Sequence, residues 1–224
     1  MNALNNANIK DDDAAGLASC AFPEVKNTHS GVSVRYVRDE HCRWYVLRIK
    51  YGKTQVVADE LISDGHYCYF AKVWKVVKNP MTGKKRKILT PFLNLLFAYL
   101  TDREAACYVN EGIYARWTTY YYNHFVDNGG GTNPPLTVSE ADMIPFIRVT
   151  SLQDTHVMQV DLRKCRFRSD DVVEVTDGPF KGVRGRVARI ARQDRVVVCI
   201  NGLNSGLTTA YIPNYSLRKV DEKQ

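Results

Sequence analysis

The five histidines, His29, His41, His66, His124 and His156, stand singly, and none lies in a motif that would make it the base for a serine or cysteine nucleophile. The six cysteines, Cys20, Cys42, Cys68, Cys107, Cys165 and Cys199, contain no C-x-x-C pair. Neither His66 with Cys68 nor His41 with Cys42 has the spacing of a zinc template. No catalysis, metal or cofactor is therefore expected. Apolar neighbours at Cys68 and Cys199 fit reduced, buried thiols in a cytoplasmic protein. What the side chains offer instead is recognition of a polyanion. The formal charge is +7. Lys84-Lys85-Arg86-Lys87 is the densest basic run of the first half, and Lys50, Tyr51 and Lys53 place two cations around an aromatic ring. Lysines neutralise phosphate and a tyrosine stacks on an unpaired base. Each group also fits a plainer reading, a solvated hairpin tip for the first and ordinary helix-start lysines for the second.

These residues need elements to hold them. The 224 residues, 45% of them hydrophobic, suffice for one large or two small domains. Residues 1–42 are expected to be a flexible extension, with one possible strand at 32–37 from the alternation Val32-Ser33-Val34-Arg35-Tyr36-Val37. Trp44–Lys50 reads as a strand. Val57 with Leu61 and Ala58 with Ile62 give a helix over Lys53–Asp64 one apolar face. Tyr67–Val77 reads as one strand, Asn79–Gly83 as a turn and Leu95–Leu100 as a further strand. Thr101 and Glu104 have capping-box spacing for a short helix to Val109. Ala115–Phe125 reads as a strand and residues 127–135 as a loop. Ser139-Glu140-Ala141-Asp142 opens a helix that Pro145 should kink or shorten. The first domain is thus placed at 43–160, with a linker at 161–169 that holds the basic run Arg163–Arg168. No run reaches the length of a membrane span.

The C-terminal part, placed at 170–220, carries the most specific pattern. Val173 and Val175 alternate with Glu174 and Thr176, Asp177-Gly178 turns the chain, and Gly182 and Gly185 follow where a strand bends sharply. A second strand leaves at Arg186–Ala191, and Val196–Ile200 is β-branched and buried on both sides. Phe180, Lys181, Arg184 and Arg186 are the candidate partner surface here, with Arg189, Arg192 and Arg195 close in sequence.

Asp170–Ile190, including Asp177-Gly178-Pro179-Phe180, resembles the KOW motif. Together with Trp44-Tyr45-Val46-Leu47-Arg48-Ile49-Lys50-Tyr51-Gly52-Lys53 upstream, the chain resembles the NusG family of transcription elongation factors, in particular specialised members such as RfaH and the UpxY antiterminators. The resemblance covers roughly residues 43–220. It implies an α+β fold: an N-terminal α/β sandwich (the NGN domain, an antiparallel sheet with flanking helices), then a small SH3-like β-barrel. It implies a non-enzymatic monomer that binds the RNA polymerase clamp through an apolar surface, contacts non-template DNA or nascent RNA, and suppresses pausing in a limited set of operons. Surface-polysaccharide operons are one class of target for such members. The KOW part would reach the ribosome or another factor. On this reading Phe92, Leu93, Leu96 and Phe97 form the polymerase dock. The family's Phe-Pro-Gly-Tyr is replaced here by Phe92-Leu93-Asn94-Leu95, and Asn201 stands where general NusG proteins carry an aromatic, which disfavours their Rho and ribosome contacts. The β-rich C-terminal part is expected to stay a barrel and not switch to helix. The competing expectation is a KOW-containing RNA-binding or ribosome-associated module that never touches polymerase.

Overall fold

The computed structural model describes residues 22–126, 130–152, 157–190, 192–203 and 205–220. The fold is mixed α+β with mostly antiparallel sheets. Strand β3 (Arg43–Ile49) is the centre of the first sheet, with β4 (Tyr67–Tyr69) and β7 (Leu95–Leu100) on one side and β8 (Thr118–Tyr120) on the other, in the order β4-β7-β3-β8. The two-residue β9 (Thr137–Val138) pairs with the start of β3. Side chains of a strand alternate faces, and here both faces are covered. Tyr45, Leu47, Ile49, Leu96, Ala98 and Leu100 pack on one side with helices α1 (Thr54–Ser63) and α2 (Asp102–Asn110). Trp44, Val46, Leu95, Phe97 and Tyr99 pack on the other, under α3 (Glu140–Ser151) and the N-terminal segment.

The expected capping box forms: the Thr101 hydroxyl accepts from the Glu104 amide, and Glu104 accepts from the Thr101 amide at 2.8 Å. Helix α3 is capped by Ser139 and runs 12 residues, with Pro145 inside it. The expected shortening does not occur. Met143, Phe146, Ile147 and Val149 are all buried, and that packing outweighs one lost backbone hydrogen bond. The expected strand Tyr67–Val77 is two strands. Between β4 and β5 (Lys72–Lys78) the Ala71 carbonyl accepts from the Phe92 amide, and β5 leaves the sheet to pair only with β6 (Lys85–Pro91). The expected strand Ala115–Phe125 shrinks to Thr118–Tyr120 behind a 3-10 turn at Tyr114–Arg116.

Residues 22–42 are packed against the first domain, unlike the flexible extension expected there; residues 1–21 of that extension lie outside the described residues. Strands β1 (Val25–Lys26) and β2 (Ser33–Val34) pair across a turn, and Phe22 and Tyr36 enter the aromatic core. Buried Asp59 of α1 anchors the turn, accepting from the Thr28 amide at 2.9 Å and the Thr28 hydroxyl at 2.5 Å. Burial pushes the Asp59 carboxyl up, but the two bonds from Thr28 and one from Gln55 prevail and hold it below the ordinary aspartate value. A folded-state value below the unfolded one stabilises above the unfolded value and is lost as pH falls through the folded one. The Thr28 amide resonance is therefore expected to titrate with a midpoint below about 3.9 and to lose exchange protection there. Asp59→Ala should remove that protection at pH 7, costing about 1.5–3 kcal/mol for a charged acceptor. A midpoint at or above the ordinary value would contradict the anchor.

The C-terminal part is an antiparallel sheet ordered β10-β14-β13-β12-β11-β15, formed by Met158–Asp161 (β10), Arg166–Val175 (β11), Arg184–Ile190 (β12), Gln193–Cys199 (β13), Ser205–Tyr211 (β14) and Leu217–Val220 (β15). Residues 161–169, expected as a linker, hold the end of β10, a 3-10 turn and the start of β11. The hydrogen-bonded path among the described residues stays open, which corrects the expected closed barrel. β10 takes the outer edge of β14 and β15 that of β11, so the two edges do not meet. Residues of β13 and β14 share a continuous core with α3 and the first sheet, and Asn201 donates to Asp142 at 3.2 Å across the seam.

Candidate nucleic-acid interface

The end of the first sheet where β3 and β7 meet carries two turns with unusual backbones. Tyr51 lies at φ +55°, Leu93 at +54° and Asn94 at +56°. Non-glycine residues rarely adopt the left-handed region, and such sites cluster at ligand-facing positions. The two turns are tied together, because the Ile49 amide donates to the Asn94 carbonyl at 2.9 Å. A third segment joins them: the Lys50 amide donates to the Trp117 carbonyl at 2.9 Å. Tyr51 is 82% exposed and Leu93 36%. The half-buried Trp117 ring carries the Lys53 ammonium at 5.4 Å and the Arg116 guanidinium at 5.5 Å from its centre. Two aromatic rings, Lys50, Lys53 and Arg116 thus share one end of the domain. Cations track a phosphate backbone and flat rings accept unpaired bases.

Lys50, Tyr51 and Lys53 were legible in the sequence; Arg116 and Trp117 were not. Their signal was present as the long aromatic stretch after α2, but only the backbone bond from Lys50 places that stretch beside Tyr51.

The expected polymerase dock fares differently. Phe92, Leu96 and Phe97 are buried. Phe92 and Phe97 meet Phe146 of α3 at ring separations of 5.5 and 5.1 Å, and Leu96 faces α1 and α2. Only Leu93 of the four reaches solvent. Burial takes Phe92 out of the expected dock: its amide bonds the Ala71 carbonyl and its ring packs on Phe146 of α3.

Lys84, Lys85, Arg86 and Lys87 are all exposed, near the tip of the β5–β6 hairpin. Asn79 shapes that tip, its side-chain oxygen accepting from the Met81 and Thr82 amides at 2.8 and 3.2 Å. The register places Lys78 opposite Lys85 and Val76 opposite Lys87, so Lys78, Lys85 and Lys87 share one face with Trp74 and Leu89. Arg86 shares the other face with Lys75 and Ile88. The basic run is therefore split between two faces.

In the C-terminal sheet Phe180 is buried and belongs to the core, whereas Lys181 is exposed. Arg184 is tied to Glu174 at 3.0 Å, and the half-buried Arg186 lies with its guanidinium 4.0 Å from the centre of the Phe167 ring. The turn before them has the expected glycine dependence. Gly178 and Gly182 both lie at φ +79°, and the Gly182 amide donates to the Val175 carbonyl at 2.7 Å.

Among the described residues no group of three or more His, Cys, Asp and Glu could hold a metal ion, and no helix is long and apolar enough to cross a membrane. Five cysteines are described and all are unpaired. Burial pushes the Cys68 thiol up to about 12 and, against the nearby Arg186, the Cys199 thiol to about 11. Cys107 is exposed, unlike the buried thiols expected.

No protein-family model matches the chain, and no curated protein matches it.

Proposed function

We propose that this chain is a specialised NusG-like transcription antiterminator that binds RNA polymerase and the unpaired DNA beside it, and carries out no reaction of its own. In this reading the first domain is NGN-like and the C-terminal sheet is a KOW unit whose strand order β15-β11-β12-β13-β14 carries one extra strand, β10. The observation that carries it is the convergence of Tyr51, Trp117, Lys50, Lys53, Arg116 and exposed Leu93 at one end of the sheet. Leu93 supplies the apolar contact with polymerase, and the cations with both rings hold the displaced strand. The hairpin lysines add phosphate contact. The protein acts by occupancy, so its effect saturates.

Tyr51→Ala should weaken binding of an unpaired oligodeoxynucleotide by the worth of one stacked base, about 1–3 kcal/mol, while leaving the thermal midpoint unchanged, because the ring is solvated. Fluorescence anisotropy measures the first and scanning calorimetry the second. The functional test is pause lifetime in single-round transcription on a template from the chain's own host. Saturating protein should shorten pausing at a subset of promoters. Unchanged lifetimes at every template tried would sink the reading.

A further inference from the structure

We infer that the groove between the two parts of the molecule is a second binding site, built for an unpaired nucleotide segment. It is separate from the Tyr51 end of the first sheet. The groove has a volume of about 710 Å3, within the roughly 300–1,000 Å3 of small-ligand sites. One wall comes from the first domain through Asn123 and Phe125, the other from the C-terminal sheet and its entry through Arg163, Phe167, Arg186 and Asn201.

Three features of the lining select the ligand. Among the described residues that line it are two arginines and no carboxylate, though Asp161 pairs with one of the arginines from outside the lining; the balance favours an anion. Arg163 is bound by Asp161 through Nε and Nη2, both at 3.1 Å; a guanidinium carries five N–H donors, so its remaining ones face solvent and can bind a phosphate. Second, the groove presents flat rings. Phe125 is 62% exposed and touches no other ring among the described residues, and its backbone is held by the bond from its amide to the Asn123 side-chain oxygen at 3.0 Å. Phe167 is backed by the Arg186 guanidinium at 4.0 Å, which fixes the ring and adds charge beside it. Third, the polar lining offers the Asn123 amide nitrogen, the Asn201 amide oxygen and the Thr137 hydroxyl, the other halves of the two amides being engaged by the Phe125 amide and Asp142; these suit base edges and ribose. Arginines for phosphate and rings for bases are the two halves of single-strand recognition. Because the walls come from both parts, a bound segment would tie them together.

The test uses the full chain with fluorescein-labelled octamers of uridine and of thymidine, read by anisotropy, and a 4-thiouridine octamer for photo-crosslinking. Phe125→Ala/Arg163→Ala removes two exposed side chains and should leave the circular dichroism spectrum unchanged. It is expected to weaken at least one octamer tenfold or more, since one stacked base contributes about 1–3 kcal/mol. Crosslinks should map to residues 122–126 and 162–168 in the wild-type chain and in Tyr51→Ala alike. Preference for uridine would assign a contact to the ribose hydroxyl, and equal binding would assign rings and phosphate alone; both support the site. Wild-type affinity of the double variant for both octamers, or loss of all crosslinks in Tyr51→Ala, would overturn it. Neither result depends on whether polymerase binds.

Discussion

Trp44→Ala is expected to cost the chain about 3–5 kcal/mol, the usual range for removing a buried aromatic. Trp44 is 1% exposed. Its ring meets Phe22, Tyr36, Tyr67 and Tyr99 at centre separations of 5.5, 5.7, 5.6 and 5.3 Å, two of them stacked and one edge-on. Each such pair adds about 0.5–1.5 kcal/mol beyond area burial. The loss therefore spreads from β3 to the N-terminal segment, which supplies two of the four partners. A domain of this size has only about 5–15 kcal/mol in total, so the variant approaches the threshold of folding. Trp44→Phe separates packing from polarity. The Trp44 indole N–H is buried without a hydrogen-bond partner, so phenylalanine removes an unsatisfied donor along with volume. It should cost less than half as much. Urea denaturation of the two variants measures both values, and equal costs would show that the indole contributes more than its ring packing.

Gly185→Ala should break the C-terminal sheet at its centre. A Cβ there would sit 2.4 Å from the Val197 carbonyl oxygen, 2.8 Å from Val196 Cγ1 and 2.9 Å from the Val197 carbonyl carbon. Two of these atoms are backbone of the neighbouring strand, so no side-chain rotation relieves the clash and β12 must part from β13. We expect a cost of about 3 kcal/mol or more, at the upper end for overpacking. Gly178→Ala is the matched control. Its φ of +79° strains any side chain, but nothing lies within 4 Å of the added carbon. It should cost about 1–2 kcal/mol, the left-handed penalty alone. Amide exchange of β12 and β13 in the two variants distinguishes local opening from simple strain. If Gly185→Ala costs no more than Gly178→Ala, the close approach of the two strands is not what glycine serves.

The local elements of this chain are written in patterns short enough to read. The Thr101–Glu104 capping box, the strand run Trp44–Lys50 and the glycine turn at 177–185 each depend on residues a few positions apart. What escaped the sequence depends on distant packing. Phe92 reads as part of an apolar dock, but α3, some fifty residues on, closes over it. Pro145 reads as a helix breaker, but its helix lies between two sheets whose burial holds it. Asn27 and Thr28 read as tail, and only Asp59 shows why they are fixed. The candidate site divides in the same way. Lys50, Tyr51 and Lys53 are adjacent in sequence and were legible. Trp117 and Arg116 join them through the bond from the Lys50 amide, which no periodicity encodes.

The central claim is contact with RNA polymerase, and retention of the host's core polymerase on the immobilised full-length chain tests it most directly. The full chain is required because the two parts share one core. We expect the wild-type chain to retain polymerase and Leu93→Asp, which places a charge on the exposed turn beside Tyr51, to retain markedly less while keeping the same thermal midpoint. A wild-type chain that retains no polymerase would contradict the account and return the weight to a nucleic-acid-binding module that acts without it.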